Sequence, residues 1–220
     1  MEPVKIKTVS TVDAICAALE NDILSLHFAP GAKITESDLA LRYGVSRNTV
    51  REAVAHLLAQ GLLTKITNKG VYVRKFTAED IKEIFHLRAI LELEAVKEIL
   101  ANQIDISGLY ASVAELEAIN RHDQWDNYVQ ADILFHKGLV AAANSPRLSR
   151  LYDTIITEVK LCVYQTRHYA PTPSGNNVTH RAILEAISLK DEACMKLLST
   201  HIEHVTKRYC AGLIAMDNDQ

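Results

Sequence analysis

The chain has 220 residues, 48% of them hydrophobic, which is room and apolar content enough for one large or two small packed domains. No apolar run approaches the length of a membrane span and MEPVKIKTVS lacks the apolar region of a secretion signal, so a soluble, cytoplasmic protein is expected. The net charge of −3 does not exclude nucleic acid, because it is uneven: residues 1–75 carry 10 Lys and Arg against 7 Asp and Glu, and residues 76–220 carry 14 against 20.

In residues 11–26, Val12, Ile15, Cys16, Leu19, Ile23 and Leu26 recur at helical spacing, until Ala29-Pro30-Gly31 breaks the pattern. Thr35 can cap a short helix, TESDLALRYG, with Leu39 and Leu41 expected inward and Gly44 supplying a tight turn. Ser46 then caps a second helix over about residues 47–60. Val50, Val54, Leu57 and Leu58 mark its core face and Gly61 stops it. Helix, glycine turn and helix is the arrangement that presents one helix to a major groove. LLTKIT and VYVRKF, joined around Asn68-Lys69-Gly70, read as two short strands forming a wing.

Arg47, Asn48 and Arg51 lie near the start of the second helix and off its apolar stripe, free to face a partner. An arginine fork can pair bidentately with O6 and N7 of guanine, whereas Lys65, Lys69 and Lys75 suit phosphates. The competing reading is a solvated face on which the arginines pair with Glu52 or Glu36. Between Arg42 and Lys75, seven basic residues stand against one acidic residue, Glu52, which favours double-stranded DNA as partner.

From residue 76 the pattern is helical throughout. Helices are expected over about 77–102, 106–120, 125–143, 146–167, 178–189 and 191–215, with one Pro- and Gly-rich connection over 168–177. The expected organisation is a winged helix-turn-helix over 1–75 followed by an all-α antiparallel bundle over 76–220. Cys16, Cys162, Cys194 and Cys210 show no CxxC spacing and read as small thiols in apolar helices.

The bundle sequence carries a second constellation. Asp132 and His136, four residues apart, project from one helical face that also holds Val129, Ile133 and Val140. A carboxylate directed inward needs a partner or a metal. His180 begins a helix whose Ile183, Leu184 and Ile187 face inward. His201 lies among Leu197, Leu198 and Val205, while His204 has polar neighbours and is assigned to solvent. One Asp and three His on three helices suit a divalent transition metal: Zn and Ni fit the nitrogen-rich set and Mn or Fe are compatible. The alternative is a set of hydrogen-bonded core histidines. Arg88 sits on the inner stripe of its helix, either to receive a carboxylate effector or to pair with Glu92 one turn on. A metal with an open position also admits a hydrolase, and a bundle that only dimerises would make an architectural DNA binder.

Two stretches carry a family resemblance. ITESDLALRYGVSRNTVREAVAHLLAQGLL resembles the winged helix-turn-helix of GntR-family regulators. HLRAILELEAV, ADILFHKGLVAAANSPRL and HRAILEAISLKDEACMKLLSTHI resemble the all-helical FCD effector domain of the FadR subfamily. The resemblance implies a homodimeric, ligand-responsive regulator of a palindromic operator and no enzyme. It implies DNA contacts by Arg47, Thr49, Arg51, Asn68, Lys69 and Gly70, with Ser37 standing where some members place a further arginine. It also implies metal ligation by Asp132, His136, His180 and His201.

Overall fold

The computed structural model describes residues 10–120, 123–169 and 179–218. Most of the Pro- and Gly-rich connection and the N-terminal stretch read for a secretion signal lie outside the described residues. The chain folds as two compact units, Met1–Lys75 and Phe76–Gln220.

In the first unit, α1 (Thr11–Leu24) buries Ile15, Leu19, Ile23 and Leu24. It packs on α3 (Arg47–Ala59), whose Val50, Ala53, Val54 and Leu57 form the facing stripe. Each of the Ile, Leu and Val side chains removed from water contributes about 1.5–3 kcal/mol. In chain order α2 (Glu36–Tyr43) comes between them, capped by the Thr35 hydroxyl and ended by Gly44 at φ 67°. Leu39 is buried, but Leu41 is 86% exposed, against the expectation that both point inward. Two residues along a helix turn it by about 200°, so the pair cannot share a face. Leu58 is likewise only half-buried, with Ala53 taking the core position instead.

The wing is a three-stranded antiparallel sheet of order β1-β3-β2: β1 (Lys33–Ile34), β2 (Leu63–Ile66) and β3 (Gly70–Val73). The hairpin β2–β3 pairs Leu63 with Val73 and Ile66 with Gly70. The sequence reading did not include β1; at two residues it is too short to show alternation.

The second unit is helical: α4 (Ala78–Ala101), α5 (Leu109–Ala118), α6 (Trp125–Ala142), α7 (Pro146–Thr166), α8 (His180–Ser188) and α9 (Ala193–Asn218). Thr77 and Asp80 cap α4 reciprocally, each side chain taking the other's backbone N–H. That helix packs against α6, α7 and α9, and α5 packs against α6 and α8. Phe85, Phe135, Tyr152, Leu161 and Ile183 fill the core, while Leu87 and Ile90 remain exposed on α4. Cys162 and Cys194 are buried, Cys16 and Cys210 half-buried, and all four are free thiols. Among the described residues no helix is long and apolar enough to cross a membrane.

Candidate DNA interface and buried histidine cluster

The first turns of α3 are built by Ser46, whose hydroxyl accepts from the Thr49 backbone N–H at 3.2 Å and meets the Thr49 hydroxyl at 2.9 Å. This fixes the start of the helix and leaves Arg47, Asn48 and Arg51 exposed, with Thr49 half-buried. Arg51 is not a free guanidinium. It donates from Nε and Nη2 to the two carboxylate oxygens of Glu36 at 3.0 and 2.8 Å, the pairing weighed above as the competing reading. Arg42, counted among the basic residues of this region, donates instead to Asp22 at 2.8 Å and lies over the Phe28 and Tyr43 rings. It therefore ties α2 to the end of α1.

At the wing, Asn68 adopts φ 61° and Gly70 φ 114°, left-handed values that an asparagine tolerates and that favour glycine. A Cβ on Gly70 would come within 3.2 Å of Lys33 Cε. Lys33 thus lies against the wing turn, near exposed Lys69, and joins the basic surface. Sequence reasoning missed it because its strand was missed.

In the bundle, α6, α8 and α9 direct His136, His180 and His201 into the core, where the three are 0%, 7% and 8% exposed. One nitrogen of each lies within 4.8 Å of the others. The His136 and His180 Nε2 atoms approach to 3.2 Å, and the His136 and His201 rings stack with centroids 5.5 Å apart. Burial lowers the His136 value and pulls His201 down to about 3, so both rings stay neutral, the form that ligates a metal. Asp132 reaches this cluster through His180, with Oδ1 3.1 Å from His180 Nε2. Burial opposes the Asp132 charge, but the hydrogen bond from His180, with the Arg88 guanidinium adding to it, outweighs burial and holds the carboxyl well below the usual range. His204 is exposed, as expected.

Behind the cluster lies a carboxylate with three donors. Glu92 is fully buried and accepts from Arg88 Nε at 2.7 Å, Tyr152 Oη at 2.6 Å and His136 Nδ1 at 2.8 Å. Burial would raise its carboxyl, but His136 and Arg88 bring it down to about 2. An ionised carboxylate can only accept, so His136 carries its proton on Nδ1 and turns a bare Nε2 toward the cluster. Arg88 is 2% exposed and pairs with Glu92, one of the two roles considered for it, yet its Nη2 has no hydrogen-bond partner. The sequence flagged Glu92 only as a local partner of Arg88. Its contacts with His136 and Tyr152, 44 and 60 residues away, have no local signal. Three buried imidazoles, with the His136 tautomer fixed from behind, suit a nitrogen-preferring divalent metal, and this cluster could hold one.

Comparison with known proteins agrees with both halves. Residues 11–73 match the family described as bacterial regulatory proteins, gntR family, and residues 83–204 match the FCD domain. The chain is 30% identical to the uncharacterized HTH-type transcriptional regulator YdhC of Bacillus subtilis, over 84% of this chain and 85% of that one. It is 27% identical to the HTH-type transcriptional repressor GlaR of Escherichia coli, over 84% and 89%. Among solved structures, a putative transcriptional regulator GntR from Rhodococcus sp. RHA1 superposes with TM-score 0.75 at 29% identity, covering 91% of this chain and 98% of that one. The chain is a DNA-binding transcription regulator of the GntR family, with a winged helix-turn-helix followed by an FCD domain.

Proposed function

We propose that this regulator binds a palindromic operator as a homodimer and senses a small organic acid through a metal-containing pocket in its FCD domain. The observation that carries the sensing half is the linkage, through one buried carboxylate, of three converging histidines to a guanidinium with an unsatisfied nitrogen. Asp132, His136, His180 and His201 would hold the ion, and a bound divalent metal supplies positive charge that favours a carboxylate ligand. Arg88 Nη2 would donate to that carboxylate and gain the partner it lacks, while Glu92 keeps Arg88 in place and His136 in its ligating tautomer.

In the winged unit, Arg47, Asn48, Thr49 and Arg51 would reach base edges, and Lys69 and Gly70 would seat the wing on the backbone. Leu87 and Ile90, exposed on neighbouring turns of α4, give the bundle an apolar edge that a second copy would cover. The effector acts only through its difference in affinity for two arrangements of the dimer. A coupling of about 1–3 kcal/mol changes DNA affinity about 5- to 150-fold. A hydrolase would need a free base beside the ion, and Glu92 is already engaged by three donors.

The test begins with protein stripped by a chelator and titrated with Zn²⁺ or Ni²⁺ by calorimetry. Melting is then followed with acetate, malate and citrate present or absent. The expected result is about one ion per chain, abolished in His136→Ala, and a carboxylate-dependent rise in melting temperature only when metal is present. Arg88→Met should retain the ion and lose the carboxylate response. Equal metal uptake by wild type and a His136→Ala/His201→Ala double variant would overturn the pocket, and a carboxylate response that survives stripping would overturn the role of the metal.

A further inference from the structure

The carboxylate of Glu36 stands on the side of the winged unit that presents Arg51, where a negative charge opposes attraction to phosphates. Its place is nevertheless well built. Glu36 opens α2 directly after the capping Thr35, where a helix N-terminus favours a carboxylate, and Gly44 in its left-handed turn sets α2 against α3. Arg51 follows the Ser46 cap by little more than one turn. Both backbones are therefore fixed before the side chains meet. Hydrogen bonding to Arg51 holds the Glu36 carboxyl below its ordinary value, with the charge of Arg47 adding to it.

The atoms used in the pair decide what remains. A guanidinium has five N–H donors: one on Nε and two on each Nη. Glu36 accepts one from Nε and one from Nη2, which together form the side edge of the fork. Both Nη1 hydrogens and the outer Nη2 hydrogen are left, and the parallel pair on the end edge matches O6 and N7 of guanine. The side chain is 63% exposed, so that edge is accessible.

We infer that Glu36 is a positioning residue for sequence reading, holding the Arg51 side edge so that its end edge meets one guanine in each half-site. This rests on the reading of α3 as the base-contacting helix. The carboxylate exchanges non-specific attraction for discrimination. Without it the flexible arginine reaches the nearest phosphate as readily as a base.

The experiment is selection from a randomised double-stranded DNA library on full-length protein at one moderate salt concentration, with and without added Zn²⁺, for wild type, E36Q and R51A. Glutamine preserves shape but replaces one of the two accepting oxygens with an NH₂, so the two parallel donors of Arg51 can no longer both be met. A good bidentate contact discriminates between bases by roughly 5- to 150-fold. The expected result is that R51A loses preference for one G per half-site. E36Q should weaken that same preference by about tenfold while its other positions stay as in wild type, and its retention of unselected DNA should rise. A purely structural role would weaken every position together. A motif in E36Q indistinguishable from wild type, or a weakened base different from the one lost in R51A, overturns the inference. If R51A selects the wild-type motif, or wild type selects none under either condition, the reading of α3 fails and takes the inference with it, a result distinct from failure at Glu36 alone.

Discussion

Replacing Glu92 by glutamine should unsettle the bundle more than any other isosteric change in it. The carboxylate is fully buried and takes donors from α4, α6 and α7. Glutamine retains an oxygen for Arg88 Nε and Tyr152 Oη but turns an amide NH₂ toward His136 Nδ1. Arg88, 2% exposed, then keeps its positive charge without the counter-ion it is hydrogen-bonded to. Breaking one side of a buried pair costs about 3–5 kcal/mol, a large share of the roughly 5–15 kcal/mol that keeps a domain folded. At about 2–4 °C per kcal/mol for a unit of this size, the bundle transition should fall by roughly 6–20 °C. His136 must also move its proton to Nε2, the atom offered to the ion, so metal affinity should fall about 10- to 100-fold. Both effects are measurable by circular dichroism melting and Zn²⁺ titration of one preparation. The decisive comparison is Arg88→Met/Glu92→Gln, which removes the stranded charge and should recover part of the lost stability. A Glu92→Gln protein that melts within about 1 kcal/mol of wild type, or a double variant less stable than the sum of the two singles, would refute the reasoning.

Lys33→Ala and Lys69→Ala should each weaken binding to selected and unselected DNA alike and reduce the salt slope by about one, as read by fluorescence anisotropy across a salt series. Gly70→Ala places a Cβ at φ 114° and 3.2 Å from Lys33 Cε, and should cost the winged unit about 1–3 kcal/mol in urea unfolding. The Arg42 hydrogen bond lowers the Asp22 carboxyl in the folded state. Its contribution to stability is therefore complete above the unfolded value of about 3.9 and is lost as pH falls through the lower folded value. Acid titration should find that loss in wild type and not in Asp22→Asn. Leu87→Glu/Ile90→Glu should shift sedimentation from dimer to monomer while leaving the helical circular dichroism signal intact.

Much of this architecture was legible because local chemistry announces it. Thr35, Ser46 and Thr77 cap the helices that follow them, and the spacing of Val50, Val54 and Leu57 marks a core face. His136, His180 and His201 could be singled out because each lies among apolar neighbours at helical spacing, a cost that a sequence does not carry without a partner. What stayed hidden depends on distance along the chain or on very short elements. Lys33–Ile34 has no period to detect, and Lys33 joined the wing only when β1 was placed against β3. Arg88 could be paired with Glu92 from spacing alone, but the remaining donors on Glu92 come from helices far away in sequence. Leu41 was assigned inward on hydrophobicity where its position, two residues from Leu39, already placed it opposite.

The nine-residue helix α8 is too short to persist by itself in water. Its first turn is pinned on two faces: His180 faces the cluster, and Arg181 clasps Glu117 of α5 through three hydrogen bonds of 2.6–3.0 Å. An ion held by His180 would add its binding energy to the formation of this turn, so occupancy and helix order become a single equilibrium. Loss of such an ion would then be felt first as fraying of α8 and loosening of its grip on α5, and slow amide exchange along α8 would gauge how much of the protein is loaded.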